Sequence, residues 1–253
     1  VQLLAGPMMP TSFHGERLGA CTDCRRFWAM HRAGKVNSAE IETIEGNLAT
    51  TAGTCAVMGT ASTMASIAEA LGMALPGSAA IPAVHADRLR AAEATGRCAV
   101  ELIKTGLRPS NLINEKSVEN ALRVLLAIGG STNAIVHLTA MAGRAGLAFP
   151  LERYNEISAK TPVIANVGPS GAQYLMGDFF YAGGLGALRR RRAFNRVIDV
   201  AEKFAEHRSF GREVSALGMR REHAVLDVHS RIERQLVDAA ENDSLIGALL
   251  GVL

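Results

Sequence analysis

Cys55 lies in the run Thr51-Ala-Gly-Thr-Cys-Ala-Val-Met-Gly-Thr-Ala-Ser-Thr-Met64, a glycine-flanked loop just ahead of an expected helix. Free backbone N–H groups and the positive end of a helix dipole lower a thiol's pKa there. They favour the thiolate, the form that binds metal or attacks an electrophile. The competing reading is a small buried hydrophobe, the usual fate of a lone cysteine. Cys21-Thr-Asp-Cys24 is a C-x-x-C, a spacing that serves redox chemistry, zinc or an iron–sulfur cluster. No second C-x-x-C and no histidine pair at zinc spacing accompanies it, so two thiols near a helix start are the alternative. Cys98 falls inside an expected helix and reads as core. His85 and Asp87 could face a polar cavity, or Asp87 could simply cap a helix whose Arg88 and Arg90 are solvated. His229 and Glu233 stand four apart on the last long helix, on one face, as metal-binding pairs on bundles do. His229 also lies in an apolar stripe, where a satisfied core histidine is the other account.

The elements that must position these groups alternate short strands with longer helices. Leu3 to Ala5 reads as a strand end closed by the turn Gly6-Pro7. Ser38 is expected to cap a helix carrying Ile41, Ile44 and Leu48 at helical spacing. Thr60 to Leu71 predicts a helix of Ala, Ser, Thr and Met, whose small side chains let a neighbouring backbone come close. Further helices are expected over 86–105 and 117–128, the second stopped by Gly129-Gly130, with Ser131-Thr132-Asn133 capping the next. Residues 161–167 look like a short buried strand, and Gly168-Pro169-Ser170-Gly171 turns out of it into a helical stretch holding Tyr174 and Met176. The fold class expected is α/β: helix-rich, a short parallel sheet flanked by helices, with an all-α tail. Near residue 188 glycine thins out and Arg, Glu and Asp fill long amphipathic stretches. The boundary is therefore set at 188/189, with residues 1–188 as one domain and 189–253 as a helical tail.

Composition narrows the function classes. Hydrophobic residues make up 48% and charged residues 20%, which excludes a disordered chain and a coiled-coil rod. Lys and Arg exceed Asp and Glu by only +3, so the one-signed surplus of a nucleic-acid binder is missing. The basic cluster Arg189-Arg190-Arg191-Arg192 reads as a solvated helix end. Apolar runs stop well short of the roughly 20 residues that a bilayer requires, so no membrane partner is expected. With no leader at Val1 and four cysteines, the expected compartment is the reducing cytoplasm.

Several motifs occur together in one order: Gly6-Pro7-Met8, Gly53-Thr-Cys-Ala-Val-Met-Gly-Thr-Ala-Ser-Thr-Met64, Glu69-Ala-Leu-Gly72, Leu75-Pro-Gly77, Gly129-Gly-Ser-Thr-Asn133 and Asp178-Phe-Phe-Tyr-Ala-Gly-Gly184. Over about residues 1–188 the chain resembles the dihydroxy-acid/phosphogluconate dehydratase family, which includes aldonate dehydratases. The stretch Cys21-Thr-Asp-Cys-Arg-Arg-Phe-Trp28 resembles the sugar-acid side of that family. The resemblance implies a hydro-lyase that removes water from a 2,3-dihydroxy acid to give a 2-keto acid. It implies an iron–sulfur cluster, two-iron or four-iron, as Lewis acid, and Mg²⁺ at the carboxylate end. Coordination to a cation stabilises the charge developing on a departing hydroxide.

Carried over by residue, Cys55 matches the last of the family's three cluster cysteines and is the one metal and cofactor ligand assigned here. Cys21 and Cys24 do not fall on ligand positions. The family's Cys-Asp-Lys motif, with its Mg²⁺ ligands, would precede Gly6-Pro7-Met8, and its serine base belongs to a C-terminal domain that residues 189–253 do not resemble. The expectation is thus the middle of a dehydratase, inactive by itself, taking a small hydroxy acid and self-associating as a homo-oligomer through exposed apolar surface. The alternative is a non-catalytic effector, metal-sensing or interaction module in the tail, where residues 224–242 are faintly similar to the helical effector domain of GntR-type regulators.

Overall fold

The computed structural model describes residues 1–171 and 173–190, with the side chains of Arg189 and Arg190 left aside. Of the helical tail expected over 189–253, residues 191–253 lie outside the described residues, His229 and Glu233 among them.

After an extended start, β1 (Thr11–Phe13) and β2 (Glu16–Leu18) pair antiparallel, Thr11 opposite Leu18 and Phe13 opposite Glu16. His14-Gly15 makes the turn, both with positive φ. Helix α1 (Cys21–Arg32) and α2 (Ser38–Leu48) follow. Phe27, Ile41 and Ile44 bury against Leu18 and Val36, with Phe13 and Trp28 partly covered beside them. The cap of α2 is Asn37, one residue ahead of the expected Ser38. The Asn37 side chain accepts the Glu40 N–H, and Glu40 accepts the Asn37 N–H, both at 2.9 Å. Asparagine and serine cap about equally well, and the reciprocal bond to a glutamate three residues on decides between them.

The larger core gathers α3 (Thr60–Ala70), α4 (Ala86–Thr105), α6 (Glu115–Ala127), α7 (Asn133–Arg144) and α8 (Leu151–Ser158), while the single turn α5 (Pro109–Leu112) links α4 to α6 without a buried residue. The short helices α9 (Met176–Tyr181) and α10 (Gly184–Arg190) complete it. Helix α6 is its axis. Val118, Ala121, Leu122 and Leu125 recur at helical spacing and are almost wholly buried. Each of the larger side chains contributes roughly 1.5–3 kcal/mol of apolar burial. Facing them, α3 presents Ser62, Thr63, Ser66 and Ile67. Its small residues permit the close approach expected of them: the Ser131 N–H donates to Thr63 Oγ1 at 3.0 Å.

Helix α4 spans the expected 86–105, and α6 begins two residues before the expected 117. The cap of α4 is His85, not Asp87: His85 Nδ1 accepts the Asp87 N–H at 3.1 Å. Asp87 instead pairs with Arg90 at 2.5 Å. Helix-rich architecture is thus observed, but the expected parallel sheet is reduced. Among the described residues the sheet formed is the antiparallel hairpin, and parallel pairing survives as isolated bridges at Gln2–Ala74, Pro7–Thr54 and Val167–Tyr174. Residues 161–167 are not a strand. Val163 is 69% exposed, and the Ile164 and Ala165 N–H groups both reach the Ala127 carbonyl instead of a strand partner. Tyr174 belongs to the Val167 bridge ahead of α9, not to a helix.

Candidate functional site

Cys55 sits on a loop stitched to two other segments by backbone hydrogen bonds. On one side the Thr54 N–H donates to Gly6 O at 2.9 Å and the Met8 N–H to Thr54 O at 2.8 Å. On the other, the Met176 N–H donates to Ala56 O at 2.7 Å and the Met58 N–H to Gly168 O at 2.6 Å. The Thr51 hydroxyl adds a bond from the Met9 N–H at 2.9 Å. Buried backbone groups need such partners, and here the partners fix the loop. Gly53 makes the approach possible. Its φ is +132°, and a Cβ there would stand 2.5 Å from Met8 N and 2.6 Å from the Pro7 carbonyl carbon. Two of the motifs read from the sequence, Gly6-Pro7-Met8 and Gly53–Met64, thereby meet at one place, with Met176, two residues ahead of the Asp178–Gly184 motif, on the other side.

The hairpin delivers a fourth segment. Arg17 on β2 donates to Asp178 at 2.8 Å, and Asp178 in turn accepts the Leu175 N–H at 2.8 Å at the start of α9. Beyond the hairpin Gly19 lies against the loop, where a Cβ would meet Val57 Cγ1 at 2.8 Å. The Gly19 N–H donates to Asp23, which is also held by Arg26. The effect is to set Cys21, the first residue of α1, beside Cys55 with the two sulfurs 3.4 Å apart.

Cys21 is exposed, Cys24 and Cys55 are half-buried, and Cys98 is buried in α4 as expected. The contact between Cys21 and Cys55 was not legible in the spacing, because they stand 34 positions apart with the helices α1 and α2 between them. The one cue was Gly19, a residue without a side chain two positions before the C-x-x-C. The setting also corrects the expectation of a lowered thiol pKa at Cys55. Burial pushes it up, the hydrogen bond with Cys21 pushes it further, and the helix begins only at Thr60. His85 and Asp87 serve the start of α4, with the His85 ring edge-on to Phe180 at 5.0 Å.

Among the described residues no three His, Cys, Asp or Glu side chains stand close enough to share a metal ion. The donor set present is a pair of thiols, whereas iron–sulfur clusters take three or four ligands and Mg²⁺ takes oxygens. These residues alone therefore do not fit a complete cluster or Mg²⁺ site. No helix among them is long and apolar enough to cross a membrane.

L-arabinonate dehydratase of Rhizobium leguminosarum bv. trifolii is 47% identical over 191 residues, covering 76% of this chain and 33% of that protein. 6-Deoxy-6-sulfo-D-gluconate dehydratase of Pseudomonas putida is 42% identical over 187 residues, 74% of this chain and 32% of that one. Dihydroxy-acid dehydratase of Thermodesulfovibrio yellowstonii is 39% identical over 191 residues, 76% and 34% of the two chains. The chain thus spans about a third of the length of the relatives it matches. Residues 1–204 match the family described as dihydroxy-acid/6-phosphogluconate dehydratase, N-terminal. With the Gly-Pro-Met segment, the Cys55 loop and the Asp178 helix joined as they are, the chain belongs to the dihydroxy-acid/6-phosphogluconate dehydratase family.

Proposed function

We propose that the chain is the N-terminal part of a hydro-lyase that converts a 2,3-dihydroxy acid, a sugar acid by preference, into a 2-keto acid and water. A proton leaves C2 and hydroxide leaves C3, giving an enol that tautomerises to the ketone. The observation that carries the reading is the Cys55 loop, held between Gly6–Met9 and Gly168–Met176 by five main-chain and hydroxyl bonds. A loop fixed on both sides presents its thiol at a constant position, which is what a ligand to a rigid cofactor requires. The preference for sugar acids is supported by the higher identity to the protein named as an arabinonate dehydratase, 47% against 39% for the dihydroxy-acid dehydratase.

The iron–sulfur cluster and Mg²⁺ of this proposal would supply the cationic stabilisation that a departing hydroxide needs. Cys55 is the one ligand assigned to this chain; the other donors are not among the described residues. The chain's own contribution is positional: the loop bonds fix the thiol, and the Arg17–Asp178 pair holds the hairpin against α9.

The test replaces the matching segment of the Rhizobium leguminosarum enzyme with residues 1–188 of this chain. The purified chimaera is expected to form 2-keto acid from L-arabinonate, trapped as its semicarbazone, and to show the visible absorbance of a bound cluster. Cys55→Ser in that chimaera should abolish both signals while helix content stays unchanged. A folded chimaera without lyase activity, or an absorbance indifferent to Cys55→Ser, overturns the reading.

A further inference from the structure

Two thiols from separate elements meet outside any assigned role of the pair. Cys21 Sγ and Cys55 Sγ are 3.4 Å apart, and it is Cys55, not Cys24 of the same C-x-x-C, that Cys21 touches. A disulfide needs about 2.0 Å, so closure asks for an approach of roughly 1.4 Å. The frame on both sides is fixed. Gly19 is packed on Val57, the Asp23 carboxylate holds the Gly19 N–H, and the Cys55 loop is bonded to its neighbours. The pair is also reachable, since Cys21 is exposed and leads to the half-buried Cys55 behind it.

We propose that Cys21 and Cys55 form a reversible disulfide, closed by a low-molecular-weight disulfide such as oxidised glutathione and reopened by excess thiol. The Cys21 thiolate attacks one sulfur of the oxidant and displaces one glutathione thiolate, leaving a mixed disulfide. The Cys55 thiolate then attacks the Cys21 sulfur and displaces the second. Two S–H bonds are lost and one S–S bond forms; the oxidant takes up two electrons and both protons and departs as two thiols. While closed, Cys55 has no thiolate to offer a metal. That consequence, unlike the disulfide itself, rests on the reading of Cys55 as a cluster ligand.

The full chain, reduced and freed of reductant, is equilibrated with oxidised glutathione and digested with trypsin without reduction. The expected product links peptide 18–25 to peptide 36–88, about 2 Da lighter than the sum of the two reduced peptides. It should appear in wild type and in Cys24→Ser, and be absent in Cys21→Ser. A bond inside peptide 18–25, or glutathione adducts without the link, overturns the proposal. In a second arm the closed and open forms of the chimaera with the Rhizobium leguminosarum enzyme, which supplies the other donors, are offered ferrous iron and sulfide, and protein-bound iron is measured. Iron bound by the open form and lost on closure supports the masking of Cys55. A link that forms with iron uptake unchanged, or with none in either state, overturns the masking and the ligand reading, and leaves the disulfide standing.

Discussion

Arg17 and Asp178, 161 residues apart in sequence, form an ion pair at 2.8 Å that fastens the β1–β2 hairpin to the start of α9. The two carboxylate functions of Asp178 are not equal in weight. The pair with Arg17 is half in solvent, at 46% and 30% side-chain exposure, where such pairs contribute about 0–1 kcal/mol. Asp178 also accepts the Leu175 N–H, a helix-start bond of the kind whose loss costs about 1 kcal/mol. Arg17→Ala should therefore lower stability in urea by under about 1 kcal/mol, and Asp178→Ala by roughly 1 kcal/mol more. Equal losses would show that the cap adds nothing.

Gly53→Ala is expected to be far more costly. The new methyl would press on Pro7 and Met8 backbone atoms, and φ near +132° is one that only glycine adopts readily. Relief requires the Cys55 loop to separate from Gly6–Met8, breaking the Met8–Thr54 bonding. A loss of about 2–4 kcal/mol by denaturant unfolding is expected. A loss under about 1 kcal/mol would mean that the loop and the Gly-Pro-Met segment are not held together in solution.

How much of this could be read in advance depended on how local the signal was. The α4 span was legible because a 20-residue amphipathic pattern and a glycine stop at Gly106 need no partner. Its cap was not, since His85 and Asp87 both offer acceptors and only the geometry shows which one takes the N–H. Residues 161–167 carry β-branched side chains, yet a strand also needs a neighbour, and here the neighbour is the end of α6. The motif around Cys55 identified the loop. The Cys21 thiol at its side depends on the hairpin's return and on Gly19 against Val57, which no spacing rule encodes.

Arg88 offers a test of buried polar balance. Its side chain is buried, and Nη2 donates to Ser78 O at 3.1 Å and also to Ile81 O. Nε and Nη1 find no hydrogen-bond partner among the described residues. Burial lowers the pKa of the guanidinium, so the charge itself is held at a cost. Arg88→Met should relieve that desolvation while stranding two carbonyls, each worth about 1–3 kcal/mol when left unsatisfied. Arg88→Ala adds a cavity and should be the worse of the two by thermal unfolding. A methionine variant as stable as wild type would show that desolvation fully offsets the carbonyl bonds.

Acid sensitivity should trace in part to Glu119, which links α6 to α8. It accepts from Arg123 at 2.5 Å and from Arg153 at 2.9 Å. The Arg123 hydrogen bond, aided by Arg153, holds its carboxyl below the usual 4.5, against the upward push of burial. A carboxyl with a folded pKa below its unfolded one stabilises fully above the unfolded value, and loses that contribution as pH falls through the folded one. The stability difference between wild type and Glu119→Gln should therefore be constant from pH 8 to about 5.5 and shrink below about 4.5. Urea midpoints measured at intervals down to pH 3 check it. Curves that run parallel throughout would show that Glu119 titrates alike in both states, and that the two arginines do not hold its charge in solution.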